Sequence, residues 1–423
     1  MATIKPTTPL PVITDQVTIN GYTQARAHPS AKVVGNDAAL KVELDGTSVP
    51  FANGLEISNS DGSVIRGLVI NGFTTGIAIH GDSVGNRIEG NFIGTDVTGT
   101  LDRGNRTNGV IISGGASENV VGGSTPDKRN VISGNGDIGI VLIDSDANLI
   151  KGDYVGTDRT GTKDLGNDDL GVFIGDASGT TVGGTTAASR NVISGNSFDG
   201  ISVATSQGTK VLGNRIGTTA NGTGALGNGL VGVSLFNSAS DTLLEDGTSG
   251  GSNTIAFNGS DGVAVFASAG TGNEVSRNSI FSNGGLGIDL VGPGEDGLSN
   301  VPTPNDAGDA DPGANNLQNK PLINSAKTVS GKTTIQGQLD SIPKLDGVVQ
   351  TYTIEFYSNP QDTNEGKKFF GEKSITTSVD GLRTFTFSPT TAVSVGQTIT
   401  ATATRASTHD TSEFSAPRKV AAF

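Results

Sequence analysis

A four-residue pattern, glycine followed by aliphatic residues at its second and fourth places, returns along most of this chain and limits what it can become. It stands at Gly76-Ile-Ala-Ile79, Gly109-Val-Ile-Ile112, Gly139-Ile-Val-Leu142 and Gly171-Val-Phe-Ile174. It continues at Gly200-Ile-Ser-Val203, Gly232-Val-Ser-Leu235, Gly262-Val-Ala-Val265 and Gly287-Ile-Asp-Leu290. The first glycines are 33, 30, 32, 29, 32, 30 and 25 residues apart, and an earlier copy, Gly54-Leu-Glu-Ile57, lies 22 residues before the first. A fixed period of this size marks stacked units, none of which can bury its apolar face alone.

Two lengths alternate because two loop types are hung on a common coil. One begins Gly94-Thr-Asp-Val-Thr-Gly and returns at Gly156 and Gly217; the other begins Val121-Gly-Gly-Ser-Thr and returns at Val182. Both contain turn-forming residues throughout. With the loops removed, each coil shows short strands of period two. Three inward columns are aliphatic on every coil. The first runs through Val172, Ile201 and Val233, the second through Ile174, Val203 and Leu235, and the third through Ile193, Ile216 and Ile255. Glycine and asparagine fall at the corners, as in Gly134-Asn135 and Gly195-Asn196, where the chain must turn sharply and asparagines can bond from coil to coil. The predicted fold is all-β, a right-handed parallel β-helix over residues 1–290. Coils about 4.8 Å apart make a rod on the order of 40–45 Å long.

The segments Asn130-Val-Ile-Ser-Gly-Asn135, Ile93-Gly-Thr-Asp96 and Asn305-Asp-Ala-Gly-Asp-Ala-Asp311 resemble the parallel β-helix repeats of large bacterial extracellular proteins. That resemblance implies a secreted or cell-surface setting. It leaves function open, since the architecture hosts polysaccharide lyases, hydrolases and epimerases as well as adhesins and tailspikes. The chain opens on Met1-Ala-Thr-Ile-Lys5 and runs into a strand-like stretch from Val12 to Ile19 without a targeting signal, which reads as a piece of a longer protein.

The period stops after Leu290. Residues 291–320 carry Glu295, Asp296, Asp306, Asp309 and Asp311 with no lysine or arginine before Lys320, and are expected to link to the next domain or to cap the open end of the rod. Strand-like runs return at Thr333–Leu339, Tyr352–Ser358, Arg383–Ser388 and Thr398–Thr404, which suits an immunoglobulin-like sandwich over residues 321–423. The last run alternates threonine with apolar residues and reads as a half-exposed strand.

A net charge of −14 excludes a nucleic-acid partner and disfavours anionic membrane surfaces, and no apolar run is long enough to span a bilayer. The chain has no cysteine, which removes thiol chemistry. Candidate chemistry is sparse. Asp144 and Asp176 follow the inward Leu142 and Ile174 on consecutive coils, with Lys151 in the next strand; at about 5 Å apart they could form a glycosidase pair or a calcium site. The neighbouring coils carry Gly114 and Thr205 there, so solvated turn residues are the competing account. His80 with Asp82 and Arg66 is a second cluster to weigh. Asp306, Asp309 and Asp311 offer oxygen ligands for calcium but lack the glycine and terminal glutamate of an EF-hand loop. Ile111, Val141 and Phe173 form an outward apolar run suited to a partner unless a loop covers it. The favoured function is a non-catalytic rod displaying loops to a polysaccharide or another surface protein. The alternative is a carbohydrate-active enzyme, a lyase, glycosidase or epimerase using a groove along the rod.

Overall fold

Val172 lies directly beneath Ile201, and Ile201 beneath Val233, each wholly buried, in the computed structural model, which describes residues 1–295, 300–343, 348–360 and 363–422. Asp296 falls outside the described residues. The other two columns stack in the same register, Ile174 on Val203 on Leu235 and Ile193 on Ile216 on Ile255. The described strands form three parallel sheets running along one rod. Sheet I includes Val131–Ile132 and Val192–Ile193, sheet II runs from Leu55–Ser58 to Ile288–Leu290, and sheet III runs from Thr18–Asn20 to Glu274–Val275. Sheet III supplies a further core column, Ile150 on Val182 on Val211. Each buried branched side chain contributes roughly 1.5–3 kcal/mol, so the rod is held by many modest increments.

At the start, the stretch Val12–Ile19 is not one strand. Ile13 bridges Ile57 of sheet II, while Thr18–Asn20 joins sheet III, so the chain turns a corner between them without a glycine. Ala2–Ile4 pairs with Val42–Asp45 as the first strand of sheet I.

The corners are held by asparagine ladders. Asn105, Asn135, Asn167, Asn196, Asn228 and Asn258 each pass a side-chain N–H to the next asparagine's Oδ1, at 2.8–3.0 Å. The same oxygens also accept backbone N–H groups of the coil before, as Asn167 does from Asn135 at 3.1 Å. These side chains point inward and are buried, so each ladder satisfies corner amides that the strands cannot reach.

After Leu290, residues 314–317 settle onto the last coil, where Asn315 accepts from Asn273 and extends a ladder. Two antiparallel sheets follow. Leu322–Val329, Lys332–Asp340 and Leu382–Phe387 make one; Thr351–Asn359, Lys368–Thr376, Thr398–Arg405 and Arg418–Lys419 make the other. They share a core that includes Ile335, Phe356, Phe385 and Ile399. Thr398–Arg405 is buried along its whole length, contrary to the half-exposed reading. Its threonine face is covered as well: Thr404 meets Thr411 at 2.9 Å and Thr400 donates to the Glu365 carbonyl at 2.6 Å.

This domain closes the rod. Glu365 accepts the Ser282 and Asn283 N–H groups at 2.8 and 2.9 Å, Glu355 accepts from Arg277 N–H, and Asp410 from Gly272 N–H. Phe414 and Tyr357 pack into the helical core itself. Carboxylates thus satisfy amides that a further coil would otherwise have taken.

Candidate functional site on the outer face of sheet II

The outer faces of the rod are not equally free. Residues 28–40 lie across sheet I and are pinned there by two arginines. Arg129, 1% exposed, donates to the carbonyls of Lys32, Val33 and Gly35 and lies over the Tyr154 ring at 4.6 Å. Arg159 donates to the carbonyls of Asn36 and Ala38. Ala38 and Leu40 of this strap, with Phe92, Val131, Tyr154 and Val192 of sheet I beneath it, form a separate, smaller core.

The outer face of sheet II is partly covered as well, with Ala78, Ser202, Ser234 and Ala264 at most 3% exposed. Ile111, Val141 and Phe173 stand in register on three successive coils, Ile111 and Phe173 half-buried and Val141 buried between them. The Phe173 ring lies over Gly175, where a Cβ would come within 2.7 Å of it. On the next two coils Ser202 and Ser234 replace the apolar residues and donate to one carboxylate oxygen of Asp199, at 3.0 and 2.7 Å.

Beside this face run carboxylates that the sequence reading missed. Asp137 and Asp169 occupy the same corner position, two residues before Gly139 and Gly171, and the Asp169 N–H donates to the Asp137 carbonyl at 3.0 Å. Partial burial raises the Asp169 carboxyl above its usual range, and the negative field of Asp137, a hydrogen bond with Asp137 and the field of Asp199 push it the same way. A neighbouring negative charge disfavours ionisation, so the Asp169 carboxyl holds its proton more firmly than an isolated aspartate does. The signal was present as Gly136-Asp137 and Asp168-Asp169 before the repeated glycine, but it resembled ordinary turn composition.

Asp144 and Asp176 do sit on successive coils, with the Asp144 N–H donating to the Gly175 carbonyl at 3.1 Å, and both are exposed. Their positions have a backbone explanation. Asn59, Gly81, Gly114, Asp144, Asp176, Thr205 and Asn237 make one column of left-handed corner residues, with φ between 47° and 65°. Aspartate, asparagine and glycine enter that conformation most readily, so the acids are accounted for without chemistry. Lys151 lies around the corner in sheet III, in register with Gly122, and among the described residues no hydrogen bond or ion pair joins it to either aspartate. His80 pairs with Glu56 at 2.9 Å on sheet II, whereas Arg66 is in sheet III facing Glu89 and Asp127, so that cluster does not assemble.

Asp306, Asp309 and Asp311 do converge, each offering an oxygen within 4.8 Å of the others'. Asp309 accepts from Asn319 N–H and Ser341 Oγ, and burial raises its carboxyl to about 6, with Asp306 and Asp311 adding to the rise. Asp311 Oδ1 is buried without a hydrogen-bond partner. The donor set is hard and oxygen-only, which fits calcium chemistry.

No protein-family model and no curated sequence matches the chain. Among solved structures it is similar to the A-module of a mannuronan C-5 epimerase from Azotobacter vinelandii, at 18% identity and a TM-score of 0.33, over 60% of this chain and 58% of that module. It is also similar to the enzymatically active domain of tailspike protein 2 from bacteriophage CBA120, at 13% identity and a TM-score of 0.29, over 90% of this chain and 69% of that one. The chain thus spans little more than half the length of the epimerase module. The likeness is one of coil architecture and carries nothing about chemistry.

Proposed function

We propose that this chain engages a polysaccharide along the outer face of sheet II, with the Asp137–Asp169 pair as its acid–base centre. The carrying observation is that pair: two stacked carboxyls, one held up in pKa, at the edge of the rod face on which the Phe173 ring is half-buried. Phe173 offers an apolar surface to a sugar ring, and carboxylates accept from its hydroxyls. The two carboxyls are too close to act on opposite faces of a sugar ring, so Asp169 gives its proton to the glycosidic oxygen as that bond breaks, and the pair takes one back from the water that adds at the same face. Three acids on successive coils of a chain with net charge −14 disfavour a uronate polymer, so the expected substrate is neutral or amine-bearing. The bacterial, extracellular setting implied by the repeat's resemblance belongs to this proposal, as does calcium at Asp306, Asp309 and Asp311.

The test is release of reducing ends from a panel of neutral, amine-bearing and uronate polysaccharides. Asp169→Asn is expected to lower turnover on the preferred polymer by on the order of 10²–10⁴-fold. Turnover that survives both Asp169→Asn and Asp137→Asn would overturn the assignment.

A non-catalytic display module is the second reading. It is favoured by Asp199, whose carboxylate is already occupied by Ser202, Ser234 and the Val231 N–H. On that reading the panel yields binding without products.

A further inference from the structure

A pocket of about 400 Å³ opens where sheet III meets the terminal domain, and Glu245 lines it. This residue breaks three local rules at once. In the first two copies of its loop, Val121-Gly122-Gly123 and Val182-Gly183-Gly184, the position is glycine with φ of +78° and +95°; the third copy reads Leu244-Glu245-Asp246 and holds a glutamate at φ +84°. Its side chain is 2% exposed. Its Oε2 has no hydrogen-bond partner among the described residues. Strain, a buried acid and an unmet acceptor at one residue mark a site that stability alone would not retain.

The surroundings define what would satisfy it. Asp241, Asp246 and Glu274 also line the pocket, against Arg277 and His409. The arginine is engaged elsewhere, at 2.8 Å from Glu372 and 3.9 Å from Glu355, and the histidine is 2.7 Å from Glu274. The free charge of the cavity is therefore negative. The geometry points to a binding site for a primary ammonium group, carried by an amino sugar or by an aliphatic amine, with Glu245 as its buried counter-ion. This site is separate from the sheet II face and stands without it. Burial first, with Asp246 and Glu355 adding, holds Glu245 above its usual pKa, while a hydrogen bond from the Gly247 N–H and then the field of Arg277 oppose; an incoming cation would release its proton.

Calorimetry on the full chain would use glucosamine, putrescine, N-acetylglucosamine and calcium alone as probes, at pH 5 and pH 8. The amines are expected to bind, putrescine more tightly at pH 8, where its aliphatic ammonium groups and the carboxylate are both charged, and the acetylated sugar at least tenfold more weakly than glucosamine; glucosamine against putrescine tells the two sources apart. Glu245→Gly restores the residue of the other copies, so it is expected to melt no lower than the parent while losing amine binding at least tenfold. Glu245→Gln should lose binding similarly. Absence of amine binding, equal binding of the acetylated sugar, binding of calcium only, or a Glu245→Gly protein that melts lower or binds as well would each overturn the proposal.

Discussion

Asp153 is the residue whose surroundings most plainly contradict its chemistry. It occupies a rung of the ladder Asn91, Asn130, Asp153, Asn191, Asn214, where its neighbours are asparagines. It accepts Asn130 through Oδ1 at 2.9 Å, while its Oδ2 is buried with no partner. Burial pushes its carboxyl to about 8, against the pull of its hydrogen bonds with Asn130 and the field of Arg129. Protonated, it can donate onward as an asparagine would. An unfolded aspartate titrates near ~3.9, so between about pH 4 and 8 the folded state holds a proton that the unfolded chain has lost. Stability from this group is therefore fullest below pH 4 and falls as pH rises towards 8. Asp153→Asn is expected to remove that slope: urea unfolding should show little difference near pH 4 and a gain on the order of a few kcal/mol at pH 8. Parallel pH profiles for parent and variant would contradict this. The ladder asparagines were legible from their Gly-Asn spacing, but nothing in Gly152-Asp153 distinguished a buried rung from a surface turn. Asp144 and Asp176 show the converse, since they stack on successive coils as the sequence placed them, and the left-handed corner column they occupy supports the turn-residue account set beside the catalytic one.

At the scale of elements, period-two patterning revealed the strands because an inward aliphatic residue on every coil leaves no other register. The edges were less legible. Sheet I is covered by residues 28–40 through backbone carbonyls, which carry no sequence signature. The burial of Thr398–Arg405 was hidden for a related reason, as threonine suits a wet face or one covered by hydroxyl and carbonyl partners. The ladders are load-sharing elements with testable worth. Asn167→Ala removes the acceptor of both the Asn135 N–H and its side-chain amide, and also the 2.8 Å bond to Asn196. It is expected to cost about 2–4 kcal/mol, measured by denaturant unfolding, because buried donors are left unmet. A loss below about 0.5 kcal/mol would show that water or a shifted corner replaces the ladder.

For the whole molecule, the terminal domain is part of the rod's stability. Glu365 is expected to be its most sensitive contact: Glu365→Ala exposes the Ser282 and Asn283 amides and should lower the melting temperature, with increased light scattering as the last coil opens to other chains. An unchanged melt would mean the core contacts of Phe414 and Tyr357 close the end unaided. Calcium is expected to stabilise the fold through the Asp306, Asp309 and Asp311 cluster, by about 2.7 kcal/mol at a hundred times its Kd, and so to raise the melting temperature, and Asp309→Asn should abolish the rise. No shift with calcium or chelator would remove the metal from the account. The central claim concerns where a polysaccharide lies, and hydrogen-exchange footprinting with the polymer chosen by the panel tests it directly. Protection confined to amides around residues 136–143 and 168–175 is the expected result; protection elsewhere on the rod, with these segments unchanged, would contradict it.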